Sequence, residues 1–181
     1  ALLRIRERTY RLTNYGQAKN LIIIGDKGPD KTIVNGPAPL GGASDLGQFL
    51  NVSSAKFAIA GITLQNFREE QPIISYSVAN ASGIVWFENL KFKGNSTGTK
   101  SLIAPTGAQN TTEVYMLNCL FYANTCAYTA ELKGNPLYTY HNTITANTSG
   151  GILLSGAGNS NIYNCIVREN TGIEINNLSA G

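Results

Sequence analysis

Charge, histidine and sulphur are all scarce in this 181-residue chain. Asp, Glu, Lys and Arg make up 14% of it, against about 25% in an average globular domain, so solubility must rest on Asn, Thr, Ser and Gly. The three cysteines, Cys119, Cys126 and Cys165, are too few and too unevenly placed for a disulfide framework. They read as small apolar fillers of an interior, with Cys126 aligned to Ser149 in a turn. A zinc site would need a second pair at short spacing, so no metal is expected and no cofactor either. No apolar run is long enough to span a membrane. Ala1 is not preceded by a basic and apolar leader, as expected of a processed or excerpted chain. From Phe49 onward no window carries an apolar stripe at helical spacing, which excludes amphipathic helices and leaves short strands.

The net charge of +3 is uneven. Residues 1–31 hold seven basic and three acidic side chains, and the rest of the chain sums to −1. Arg4, Arg6 and Arg8 alternate along what reads as a single strand from Ala1 to Leu12, with a solvated edge face. One strand is too short a basic track for nucleic acid, which is not expected as a partner.

What the chain does have is repetition. Val114-Tyr-Met-Leu-Asn-Cys-Leu-Phe-Tyr-Ala-Asn124 returns as Leu137-Tyr-Thr-Tyr-His-Asn-Thr-Ile-Thr-Ala-Asn147 and again as Ser160-Asn-Ile-Tyr-Asn-Cys-Ile-Val-Arg-Glu-Asn170, at steps of 23 residues. Val85–Asn95 is a further copy 29 residues upstream, and Phe57–Phe67 a degenerate one 28 before that. Units this short cannot own a core, so they must stack.

Within each copy the period of two can be followed through both halves. Phe57 and Ile59, Val85 and Phe87, Val114 and Met116, Leu137 and Thr139, and Ile162 face inward before the centre. Ile62 and Leu64, Leu90 and Phe92, Cys119 and Phe121, Asn142 and Ile144, Cys165 and Val167 face inward after it. The central residue (Gly61, Asn89, Asn118, His141, Asn164) breaks the alternation, which a strand does only at a sharp corner, where Gly and Asn tolerate left-handed backbone. Each unit is then strand, corner, strand, turn and a third short strand such as 151–156. Copies running in one direction pair in parallel, with a right-handed winding. Asn89, Asn118 and Asn164, and likewise Asn95, Asn124, Asn147 and Asn170, are expected to stack as amide ladders.

The fold class is therefore all-β, a right-handed parallel β-helix of about six to seven coils of roughly 23–29 residues. It forms one domain over 1–181, irregular over 1–48 with a loop at 37–47, and regular over 49–181. The phrases closing at Asn124, Asn147 and Asn170, with Leu21-Ile-Ile-Ile-Gly25 followed by Asp30-Lys-Thr-Ile-Val-Asn-Gly36, resemble the pectin-lyase-like right-handed parallel β-helix superfamily. The resemblance implies the fold for nearly the whole chain. It leaves function open, since that superfamily includes polysaccharide lyases and hydrolases beside adhesins, surface proteins and phage tailspikes.

Catalysis on a polysaccharide needs a carboxylate pair, or a cation held by carboxylates with a basic side chain nearby. The repeats carry no Asp pair, and the aspartates Asp26, Asp30 and Asp45 all precede the regular coils. Glu69 and Glu70 read as a solvated turn, Glu88 as a surface charge, and His141 as a stand-in for Asn at a corner. No catalytic residue is assigned. Six Asn-x-Ser/Thr sequons occur, at Asn51, Asn80, Asn95, Asn110, Asn147 and Asn177, and most of them are expected by chance in a chain so rich in Asn, Ser and Thr.

The outward parity before each corner is more telling. Trp86, Tyr115, Leu117, Tyr138, Tyr140 and Tyr163 would form an aromatic and apolar ribbon on the outer wall, the residue types that suit protein interfaces or sugar-ring stacking. The second strand presents a blander set: Thr63, Lys91, Leu120, Thr143 and Ile166, then Gln65, Lys93, Tyr122, Thr145 and Arg168. The sequence thus suggests an extracellular or cell-surface structural or adhesive solenoid. It would associate with itself, laterally or through uncapped ends into a filament or layer, or belong to a larger parent chain. A glycan-binding or glycan-degrading domain is the alternative.

Overall fold

The computed structural model describes residues 2–11, 15–17, 20–36, 48–53, 56–68, 70–77, 83–106, 112–134, 136–155 and 159–178. The loop expected at 37–47, Glu69, Asn80 and Asn110 lie outside them. The described residues form three parallel sheets of seven short strands each, with no helix among them. The first sheet stacks β1 (Leu2–Ile5), β4 (Leu21–Gly25), β7 (Lys56–Ala60), β10 (Ile84–Glu88), β13 (Glu113–Leu117), β16 (Leu137–Tyr140) and β19 (Ser160–Tyr163). The second stacks β2 (Arg8–Arg11), β5 (Thr32–Asn35), β8 (Thr63–Gln65), β11 (Lys91–Lys93), β14 (Leu120–Tyr122), β17 (Thr143–Thr145) and β20 (Ile166–Arg168). The third runs from β3 (Tyr15–Gln17) through β6 (Leu50–Ser53), β9 (Ile74–Ser77), β12 (Ile103–Pro105), β15 (Thr125–Leu132) and β18 (Thr148–Leu154) to β21 (Ile175–Asn177). Each neighbour in a sheet is one full coil away, so the chain is a right-handed parallel β-helix of seven coils.

The registers follow the sequence repeat. Val85 pairs with Val114, Val114 with Leu137 and Leu137 with Ser160, so equivalent residues lie above one another. The inward set is buried throughout the middle coils, with Phe57, Ile59, Val85, Phe87, Phe92, Met116, Phe121 and Ile144 at 2% exposure or less. Phe92 and Phe121 stack nearly parallel with centroids 4.8 Å apart, the strand spacing itself. Burying each such side chain contributes about 1.5–3 kcal/mol, and stacking coils gathers these contributions into one continuous core.

The first coil differs from expectation. Ala1 to Leu12 is not one strand: β1 ends at Ile5 and β2 starts at Arg8, in a different sheet. Arg4, Arg6 and Arg8 therefore share no common face. Cys126 also departs from its expected turn: it lies within β15, beside Ser149 of β18.

The corners explain why the coils can close. Gly61, Asn89, Asn118, His141 and Asn164 all have left-handed backbone, with φ between 52° and 70°. A second set, Asn66, Gly94, Ala123, Ala146 and Glu169, repeats the device five residues later, with φ between 54° and 61°. This second corner was not anticipated, since alanine carries no preference for that region.

Directly after the second corner lies the buried ladder. The side-chain amide of Asn95 donates to Asn124 Oδ1 at 2.9 Å, that of Asn124 to Asn147 Oδ1 at 2.8 Å, and that of Asn147 to Asn170 Oδ1 at 2.8 Å. Each of these oxygens also accepts the backbone N–H of the preceding rung. Each amide nitrogen donates as well to a carbonyl of a preceding coil: Leu64, Phe92, Phe121 and Ile144 in turn. Phe67 N–H donates to Asn95 at one end, and at the other Asn170 donates to the Glu174 carboxylate from both its backbone and its amide.

The corner series behaves otherwise. Asn89, Asn118 and Asn164 are exposed, and the bond between Asn118 Nδ2 and Asn89 Oδ1 at 3.2 Å is the rung seen there among the described residues. The expected second ladder is therefore one exposed contact, because the left-handed corner turns these side chains out of the tube. One place further on, Asn142 does face inward: its Oδ1 accepts Cys119 N–H and its amide donates to Met116 O.

Candidate functional site

The outer wall of the first sheet carries two adjacent columns. Because β10, β13 and β16 pair in register, Trp86, Tyr115 and Tyr138 fall in one column, and Leu117, Tyr140 and Tyr163 in the other. Trp86 and Tyr115 stack with centroids 4.6 Å apart, and Tyr115 and Tyr138 at 4.8 Å, both near parallel. Tyr138 leans on Tyr140 at 6.0 Å, and Tyr140 on Tyr163 at 5.5 Å, with planes tilted by 49° and 45°. The six sequence-picked residues thus form one surface. Tyr163 is 58% exposed, whereas the rings in the middle coils keep one edge in solvent and shield each other's faces.

Two carboxylates fix these rings, and sequence reading missed both roles. Trp86 Nε1–H donates to Glu88 Oε2 at 2.9 Å, and Tyr115 OH to Glu113 Oε2 at 2.7 Å. Each partner is two residues away on the same strand, where the period of two puts it on the same face. That bond to Glu113 is the main reason the Tyr115 phenol is pushed up to about 12. Partial desolvation, reinforced by Tyr138 and Tyr163, raises Tyr140 as well. The rings of the wall are thus held by one another and by two carboxylates within the chain itself.

No family model matches the chain, and no curated protein or solved structure matches it. The function must be argued from the surface itself.

The second sheet's outer face is more polar. A groove of about 320 Å³ runs across it, lined among others by Asp30, Gln65, Lys91, Lys93, Leu120 and Tyr122. The turn between β4 and β5, with Gly28 at φ 77°, folds over its upstream edge. There Thr63 Oγ1 donates to Pro29 O, and Lys91 pairs with Asp30. Thr63, expected to face solvent, is consequently buried. Tyr122, 43% exposed, forms the groove's aromatic side.

The remaining candidates scatter. His141 is exposed at its corner, far from forming a cluster, and no group of three potential metal ligands occurs among the described residues. Glu131 has its carboxyl raised by partial burial, against the opposing charge of Lys133. Of the sequons, Asn95 and Asn147 are ladder residues at 1% exposure, whereas Asn51 and Asn177 are exposed. Cys119 and Cys126 are buried and unpaired, and burial pushes their thiols up to about 12 and about 11.

Proposed function

We propose that this chain is a structural or adhesive element of the extracellular or cell-surface kind, a relative of the pectin-lyase-like β-helices that has kept the scaffold for contact rather than for cleavage. The observation that carries the proposal is the continuous stack Trp86–Tyr115–Tyr138, with ring spacings of 4.6 and 4.8 Å, held by Glu88 and Glu113. A rigid aromatic strip loses little conformational entropy when covered, which is what an interface built for association requires. The partner is another solenoid of the same kind, alongside or end to end.

Electron microscopy and sedimentation of the purified protein test this reading. Filaments or oligomers that weaken when Tyr138 and Tyr140 are changed together to Ser support it. Particles that stay monomeric at the highest attainable concentration sink it.

A second reading, non-catalytic polysaccharide binding, is favoured by the groove on the second sheet, where Tyr122 sits among the hydrogen-bonding groups of Gln65 and Lys93. Retention on immobilised glycans that is lost in Tyr122→Ala, with assembly unchanged, would select it.

A further inference from the structure

Two of the stacked rings hold their acidic hydrogen on a carboxylate. Trp86, Tyr115 and Tyr138 form a column of three, since the register places Ala58 next to Trp86 on one side and Asn161 next to Tyr138 on the other. Tyr115 is the middle ring, with centroids 4.6 Å from the indole and 4.8 Å from the next phenol. Indole and phenol give up one electron more readily than any other protein ring, and faces in contact let an electron pass between neighbours. Once oxidised, either group is a strong acid, so its proton needs an acceptor within hydrogen-bond reach, about 2.6–3.2 Å. Glu88 Oε2 lies 2.9 Å from Trp86 Nε1, and Glu113 Oε2 lies 2.7 Å from the Tyr115 hydroxyl. Met116 and Cys119, the oxidisable sulphur side chains nearby, are buried in the core and stand outside the column.

We infer that the column is a one-electron relay that collects an oxidising equivalent on Tyr115, with Glu113 as the base that takes its proton. The substrate is a one-electron oxidant, which removes an electron from Trp86 while the indole N–H proton passes to Glu88. Tyr115 then gives an electron to the indolyl radical across the stacked faces. Its hydroxyl proton passes to Glu113, and Glu88 returns its own to the indole nitrogen. The net change is one electron lost to the oxidant, one tyrosyl radical at Tyr115 and one proton gained by Glu113. Because the bond to Glu113 pushes the Tyr115 phenol up to about 12, the group keeps its proton at neutral pH and must lose electron and proton together. Glu88 and Glu113 are the carboxylates bonded to rings of this wall among the described residues, so the hole rests on Tyr115 and not on Tyr138. The relay is separate from the contact role of the ribbon.

Trp86 is the single tryptophan, so an indolyl radical has one source. Azidyl radicals, made by pulse radiolysis of the purified protein in azide solution, oxidise indole in preference to phenol and leave as azide anion. The expected result is a first-order decay of the indolyl absorption, independent of protein concentration and matched by growth of the phenoxyl band. Tyr115→Phe keeps a ring in the stack without its hydroxyl, and slows that phase by an order of magnitude. Glu113→Gln keeps an acceptor oxygen but not a base, and slows it severalfold. Tyr128→Phe, which alters a phenol on the third sheet, leaves it unchanged. In the unaltered protein, a decay rate that scales with protein concentration overturns the proposal. An intramolecular phase undiminished in Tyr115→Phe or in Glu113→Gln overturns it as well.

Discussion

The two asparagine series are equally conspicuous in the repeat and do entirely different work. Asn95, Asn124, Asn147 and Asn170 lie inside the wall, where each of the first three amides donates to the next and the oxygens of Asn124, Asn147 and Asn170 each take two N–H groups. Asn89, Asn118 and Asn164 stand outside, where among the described residues one bond of 3.2 Å joins the first two. The inner series is kept by hydrogen bonds that water cannot replace. The outer series is kept by its backbone, since Asn is among the few residues that enter the left-handed region at low cost. One residue type at one period thus answers two separate physical demands.

Asn124→Ala breaks this comparison most severely. It leaves the backbone and amide N–H groups of Asn95 and the carbonyl of Phe92 without partners inside the wall. At about 1–3 kcal/mol for each unsatisfied group, a loss of about 3–5 kcal/mol is expected in urea unfolding. A loss below about 1 kcal/mol would mean that the ladder is ornamental. The matching outer change, Asn118→Ala, should cost only about 1 kcal/mol through its φ of 53°. Asn118→Gly should be near neutral in the same assay, and equal costs for Ala and Gly would show that the exposed amide, not the backbone, matters.

A smaller effect of opposite sign is expected at the second corner. Ala123 and Ala146 hold φ of 54° without a side chain suited to it. Replacing either with Gly relieves about 1–2 kcal/mol of backbone strain and returns part of it as unfolded-chain entropy, for a net gain of about 0.5 kcal/mol. A lower unfolding midpoint in both variants would contradict this. The smallest perturbation is chemical labelling. Cys119 is buried with its thiol pushed up to about 12 by desolvation, whereas Cys165 occupies the equivalent place in the last coil and is half-buried. A thiol reagent should modify Cys165 in the folded protein and reach Cys119 only on unfolding. Equal rates would show that the coil between them opens readily.

Much of this was readable in advance. The inward set, the 23-residue step and the first corner all follow from alternation broken at one repeated place, and the structure puts Gly61, Asn89, Asn118, His141 and Asn164 in left-handed backbone accordingly. The split of residues 2–11 into strands of two sheets was not readable, because the alternate arginines Arg4, Arg6 and Arg8 carry a period of two across the break. The second corner was hidden by its alanines. The ring-pinning roles of Glu88 and Glu113 were equally hidden, since each looks like an ordinary surface charge until its neighbour's polar atom is placed beside it.

The sequence alone determined that like residues would stand above like, because a short amphipathic unit has no other way to bury its apolar side than against its own copy. Only the tertiary structure decided which asparagines would bond to one another and which rings would touch. Those outcomes depend on which way a corner turns a side chain and on what the neighbouring coil presents to it.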